Sequence, residues 1–318
     1  MSVMKWLASM AVLVLVMASC GDGDDQADSD ATGSERVSSS IGSSTSSSTS
    51  STSTTTTVPF PVAVEVTEDI PYTSEGAVDV YAPAEGSGWP VAVHFHGGQS
   101  SPEANQPLAE AIAEQGVVVF VPSWRSLGPD EGSQDTICAL GFAAERAGEY
   151  GGDVARVVPS GYSSGGFTAL THAFMGNDPP LPVTDCEVDP AIDLPEAVVV
   201  GGAPVFAAQW ARDGLFDANP AWASLTPEQI DAFDPFLNIG QNAELRVRLV
   251  VGEDDIGGQP NVMFPIAESN RDYHAALIEA EYDAELTEVP GGHLEPITPG
   301  TESWSIYVDT VVATARGE

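Results

Sequence analysis

The order of elements predicts an α/β domain whose central sheet is mostly parallel and covered by helices on both faces. Two observations carry that prediction. Short β-rich runs alternate with helical stretches from residue 58 to the end. That stretch of about 260 residues also suits one large α/β domain.

Taken in order, "VEVTEDIPYT" (64–73) and "AVDVYAP" (77–83) read as two opening strands, paired antiparallel. "PVAVHFHGG" (90–98) is a buried strand ending in glycines. "PLAEAIAEQG" (107–116) is a helix with a glycine stop, and it leads into the strand "VVVFVPSW" (117–124). "DTICALGFAAERAGEYG" (135–151) is a second helix, "ARVVPSG" (155–161) a short strand and "SSGGFTALTHAFMG" (163–176) a third helix. The strand "EAVVVGGAP" (196–204) precedes a long insertion, about 205–240, that carries Phe206, Trp210, Phe216, Trp222 and Phe233. It leaves the C-terminal side of a strand, where open parallel sheets bind ligands, so it reads as a small cap. Any one of its aromatics can equally be ordinary loop packing. The strand "ELRVRLVVGEDD" (244–255), a helix over 266–281, the strand "AELTEVPG" (284–291) and an amphipathic helix over 301–317 complete the domain.

The N-terminal residues stand apart. Lys5 and the apolar "LASMAVLVLVM" (7–17) have the form of a secretory signal, residues 1–19, ending at "MASC". Small residues before Cys20 resemble a bacterial lipoprotein signal, cut so that the Cys20 thiol can be lipidated; the alternative is an ordinary signal with an incidental cysteine. Residues 20–57 follow, acidic and then rich in Ser and Thr. They have too little apolar surface to offset chain entropy and read as a disordered tether, ~35 Å between its ends. The folded domain is then expected over 58–318. The implied location is extracytoplasmic, on the cell envelope or secreted.

The chain carries a formal charge of −37 and one lysine. Such a surface repels nucleic acid and anionic lipid, so membrane contact is expected only through a lipid anchor. Neither a metal nor a nucleotide motif is evident, no cofactor is expected, and a monomer is the working expectation. In an oxidising compartment Cys138 and Cys186 are candidates for a disulfide, with two buried free thiols as the alternative.

The chemistry centres on "GYSSGG" (161–166). Gly161-Tyr162-Ser163-Ser164-Gly165 matches G-x-S-x-G, a pattern that composition alone would produce ~0.3 times here, so context must decide. A strand ends just before it and a helix begins just after. Ser163 has glycine two residues away on both sides, as a strained strand-to-helix turn requires. A serine hydroxyl needs a base, and the base needs a carboxylate to set its tautomer. Both follow in the order Ser, acid, His: "GEDD" after one strand and "PGGHLEP" after the last. Asp255 is preferred to Asp254 by its spacing from Gly252, and His293 sits on a Gly-rich loop behind a strand. The other four histidines, His94, His96, His172 and His274, read as structural. Backbone donors for an oxyanion are expected from Gly97 or Gly98 in "HFHGG", which can also be a plain βα turn, and from the Ser164 amide.

Together these features closely resemble the α/β-hydrolase superfamily, from about Val64 to the last helix. Within it the chain is most similar to secreted carboxylesterases of the feruloyl-esterase-like group. "VDVYAPA", "HFHGG", "CALGFAAERAGEYGGDVARVVPSGYSSGG", "VVGEDD" and "PGGHLEP" carry the resemblance. It implies a triad of Ser163, Asp255 and His293, an oxyanion hole at Gly98 and Ser164, and an ester substrate of short-chain or aromatic type. Gln99 departs from the HGGG form, and "PSWR" places Trp124 at the pocket border. Tyr162 and Trp210 are further pocket candidates. Other activities of the same fold (polyester hydrolase, lipase, peptidase) and a non-catalytic ligand-binding lipoprotein are the alternatives.

Overall fold

An eight-stranded sheet forms the centre of the domain, in the order β1-β2-β4-β3-β5-β6-β7-β10. The computed structural model describes residues 60–318 apart from 126–128, 177–182, 191–193, 215–219 and 260–261. The signal, Cys20, the tether and Phe216 lie outside the described residues. The strands are β1 (Val64–Pro71), β2 (Ala77–Pro83), β3 (Trp89–Phe95), β4 (Val118–Pro122), β5 (Gly152–Tyr162), β6 (Ala197–Gly201), β7 (Arg246–Gly252) and β10 (Ala284–Val289). β1 and β2 pair antiparallel, as do β2 and β4; every later pairing is parallel. The carbonyl ends of β3, β5, β6, β7 and β10 therefore share one edge, and the candidate chemistry of the sequence leaves from that edge.

Alternation along the strands sorts the core into two layers. Val91, Val93, Val118, Phe120, Val198 and Val200 face α2 (Pro129–Arg146), α3 (Ser164–Met175) and α7 (Ile266–Glu279). Ala92, Val119, Val121 and Val199 face the other side, against α1 (Pro102–Ala113) and α8 (Glu302–Arg316). β3, β4 and β6 are buried on both faces, whereas the edge strand β1 is largely exposed. Helices α1, α7 and α8 each bury one stripe, and α3 is buried almost throughout. Among the described residues no helix is long and apolar enough to cross a membrane.

Several boundaries differ from expectation for local reasons. α1 starts five residues early, because the Ser101 hydroxyl accepts from the Ala104 amide and Pro102 suits the first turn. Pro107, expected as the first residue, lies inside the helix. β5 extends back to Gly152, where it pairs with Trp89 of β3. A two-stranded ribbon, β8 (Gly257–Gln259) with β9 (Val262–Phe264), was not foreseen; the pairs are too short to show a period. The insertion holds three short helices, α4 (Ala207–Arg212), α5 (Pro220–Ala223) and α6 (Pro227–Ala232).

Cys138, buried in α2, is bonded to Cys186, with Cα atoms 5.0 Å apart. Cys186 bridges to Thr73, and the Glu187 amide donates to the Tyr72 carbonyl. The disulfide thus ties the connection before β6 to α2, while the backbone bonds tie it to the β1–β2 turn. Closing a loop of 48 residues removes unfolded-chain entropy worth about 4 kcal/mol in the loop-closure account.

His172, in the buried helix α3, is a neutral structural histidine. Its Nδ1 donates to the Thr168 carbonyl at 2.8 Å, and its Nε2 accepts from the Ser133 hydroxyl at 2.9 Å. Burial pushes its pKa down to about 4, against the pull of the Thr168 carbonyl. Above pH 6.5 the ring is neutral folded and unfolded, so it adds no pH dependence. Below that, the unfolded chain takes a proton that the folded chain refuses. Stability is then lost at about 1.4 kcal/mol per pH unit until about pH 4. His172→Gln should therefore reduce the loss of unfolding free energy between pH 7 and pH 5 by about 2 kcal/mol, measured by urea titration at both pH values.

Candidate active site

β5 ends at Tyr162, and Ser163 makes the turn into α3 at φ 55° and ψ −122°, a left-handed backbone that few non-glycine residues adopt. The Ser163 amide donates to the Gly201 carbonyl at 2.7 Å, and its carbonyl accepts from the Phe167 amide. Such a conformation costs on the order of 1–3 kcal/mol, supplied here by packing of α3 into the core. Gly165 permits that packing. A Cβ on it would lie 1.9 Å from the Phe95 carbonyl oxygen, so only glycine lets the first turn of α3 lie across the end of β3.

The acid and the base leave neighbouring strands. Asp255 follows β7; its amide donates to the Gly252 carbonyl and its carbonyl accepts from the Ala267 amide at the start of α7. His293 follows β10 on a loop secured by the Gly292 amide on Glu295 and the Ser303 hydroxyl on the Pro290 carbonyl. His293 Nδ1 stands 2.8 Å from Asp255 Oδ1 and 3.1 Å from Oδ2, and Nε2 stands 3.0 Å from Ser163 Oγ. An ionised carboxylate only accepts, so Nδ1 carries the proton and Nε2 is left to accept from the serine hydroxyl. The Asp255 side chain is 0% exposed and that of His293 22%. The carboxylate is shut away from water while the imidazole reaches the surface. Asp254 is exposed, and its amide donates to the Gly291 carbonyl. The carboxylate that meets the imidazole is that of Asp255.

The HGG loop runs beside the serine: a Cβ on Gly97 would lie 3.5 Å from Ser163 Cβ. The Gly97 carbonyl accepts from His96 Nδ1 at 2.9 Å and from the Ser100 amide at 3.2 Å. In a trans peptide the N–H opposes the C=O, so the Gly98 amide points away from both of those donors. The link from Ser100 to Gly97 closes a four-residue turn with Gln99 at φ 62°, the backbone of a type II turn. Gln99 thus holds, at some strain, a conformation that glycine would adopt freely. The Ser164 amide opens α3, where no intrahelical acceptor exists for it. Among the described residues no cluster of three or more His, Cys, Asp or Glu could hold a metal ion.

Residues 78–193 match the family model described as BD-FAE. Esterase B from Lactobacillus rhamnosis, in an inhibited form, superposes with a TM-score of 0.65 at 14% identity, covering 81% of this chain and 88% of that one. An esterase of Pyrobaculum calidifontis gives 0.57 at 18% identity, covering 81% and 86%. Est2 of Thermogutta terrifontis, with propionate bound, gives 0.59 at 20%, covering 81% and 94%. No curated protein matches the chain. The fold is the α/β-hydrolase fold.

Within this fold, the three residues expected to border the pocket are buried side chains. Trp124 lies beneath the HGG loop, its Nε1 donating to the His96 carbonyl and its ring edge-on to Phe95. Trp210 stacks on Phe264 at 4.6 Å, joining α4 of the cap to the β8–β9 ribbon. Tyr162 is buried behind the serine, against His293 and Tyr307. In each case a ring large enough to wall a pocket is worth more in the core, where it buries more area. Phe167, one helical turn after Ser163, was missed. It packs on Trp222, with Ala207 and Phe233 beside it, and so couples α3 to the insertion. The signal was its i+4 spacing from Ser163.

Gly165→Ala is expected to destabilise the fold by more than about 4 kcal/mol, because the added methyl meets backbone that cannot withdraw. Thermal melts by circular dichroism would detect this as loss of the cooperative transition or a large fall in Tm.

Proposed function

We propose that this chain is a serine hydrolase of carboxylic esters. The observation that carries the reading is the hydrogen-bonded line Asp255–His293–Ser163, set on a strained turn at the carbonyl edge of the sheet. In the reaction, Ser163 Oγ attacks the ester carbonyl while His293 Nε2 takes its proton. The buried Asp255 carboxylate stabilises the resulting imidazolium and holds its tautomer. The tetrahedral oxyanion is met by the amides of Gly98 and Ser164, each such donor being worth roughly 10²–10³ in rate. His293 then protonates the leaving alcohol. Water, deprotonated by the same imidazole, cleaves the acyl-enzyme and restores the serine.

Short-chain or aromatic esters are the proposed substrates. The titles of the structural neighbours support this class: they are esterases, and one holds propionate. The charge of −37 further favours neutral esters over anionic ones through long-range repulsion. The N-terminal segment supports an extracytoplasmic location, with Cys20 as the lipid attachment point.

A fluorophosphonate probe should label the purified domain, and Ser163→Ala should abolish labelling and lower p-nitrophenyl acetate turnover by at least about 10⁴. A wild-type domain that neither labels nor turns over the ester would favour a non-catalytic binding role. Asp255→Asn should lower kcat by roughly 10³–10⁴ by inverting the imidazole tautomer, whereas Asp254→Asn should keep most activity. The opposite pattern would reassign the acid.

A further inference from the structure

Tyr162 immediately precedes the candidate nucleophile, yet its side chain points to the candidate base. The ring is 1% exposed, lies 5.4 Å from the His293 imidazole, and meets Tyr307 edge-on at 5.9 Å. Its hydroxyl donates to the His293 carbonyl. Tyr307 closes the packing from behind, donating to the Gly161 carbonyl at 2.9 Å. Burial, and then the Asp255 charge, raise the Tyr162 pKa far above the ordinary phenol value, so the group stays a donor at any working pH.

The backbone of the neighbouring strand end is cut away around this ring. A Cβ on Gly201 would lie 2.3 Å from Tyr162 Cδ2. One on Gly202 would lie 2.8 Å from the Tyr162 hydroxyl oxygen and 2.9 Å from Asp255 Oδ2. The hydroxyl and the carboxylate thus flank the same small gap, and Tyr162 touches or adjoins all three loops that supply the site.

We infer that Tyr162 is a positioning residue, a strut that sets the height of the His293 imidazole above Ser163. This rests on the esterase reading above. Asp255 fixes the rotation of the imidazole but not where the His293 backbone sits, on a loop with glycines at 291 and 292. The Tyr162 hydrogen bond is made at that backbone. With the peptide link to Ser163 it closes a ring: Ser163 to Tyr162 by covalent bonds, Tyr162 to His293 by the hydroxyl, His293 to Ser163 by Nε2. The 3.0 Å separation of Nε2 and Oγ is held by that ring. A shift approaching 1 Å from productive geometry can cost roughly 10²-fold in rate without any change in substrate contacts.

Tyr162→Phe removes the hydroxyl and keeps the packing. Gly202→Ala keeps the hydroxyl but presses on it and equally on Asp255 Oδ2, so it is read only beside Tyr162→Phe. Each variant, shown folded by circular dichroism, should lower kcat on p-nitrophenyl acetate roughly ten- to hundredfold with KM unchanged, and should slow fluorophosphonate inactivation in parallel. Either folded variant with wild-type kcat and inactivation rate overturns the strut. So does a rise in KM alone, which would make Tyr162 a binding residue, or loss of the folded state in both, which would assign the position to the fold. A wild-type enzyme without activity or labelling would instead overturn the esterase reading, so the two failures are distinguishable.

Discussion

The arrangement depends on how closely helix α3 can approach the end of strand β3. The Phe95 carbonyl occupies the space that any side chain at 165 would need. With no side chain there, the helix starts directly after β5, and the chain must turn within the single residue Ser163. The turn forces that residue to a positive φ, lifts its hydroxyl clear of the sheet and leaves the Ser164 amide at the helix start without an intrahelical partner. The strain at 163 persists because α3 is buried almost along its whole length, so relaxing the turn would mean withdrawing a core helix.

The electrostatics of the site follow from the same placement. Asp255 is shielded from solvent, and a carboxylate in such a place must be matched by donors or be protonated. The His293 Nδ1–H supplies one donor, and the pairing polarises the ring toward Ser163. Asp255 is shut away from solvent while the His293 imidazole is partly exposed, so of the pair only the imidazole meets water.

The aromatic residues show a further division. Trp124, Tyr162 and Trp210 are all turned inward, as supports for the HGG loop, the His293 loop and the ribbon beyond Asp255. Phe167 and Trp222 form the contact between α3 and the insertion. Loops that carry chemistry are thus held by rings packed from below, consistent with glycine-rich segments that have few side chains of their own to anchor them.

Much of this was determined by the amino-acid order alone. Strand and helix succession, the parallel sheet, and the departure of Ser163, Asp255 and His293 from one edge are local or topological properties, and period and punctuation report them. The pairing of β8 with β9, the early start of α1 at Pro102 and the burial of Trp124, Tyr162 and Trp210 were decided only by tertiary structure. Spacing from Gly252 already favoured Asp255 over Asp254, and the tertiary structure adds that of these adjoining carboxylates one faces the imidazole and the other water. The physical reason is that periodicity tells a side chain's face within its own element. What that face meets depends on residues more than a hundred positions away, as Tyr162 meets His293.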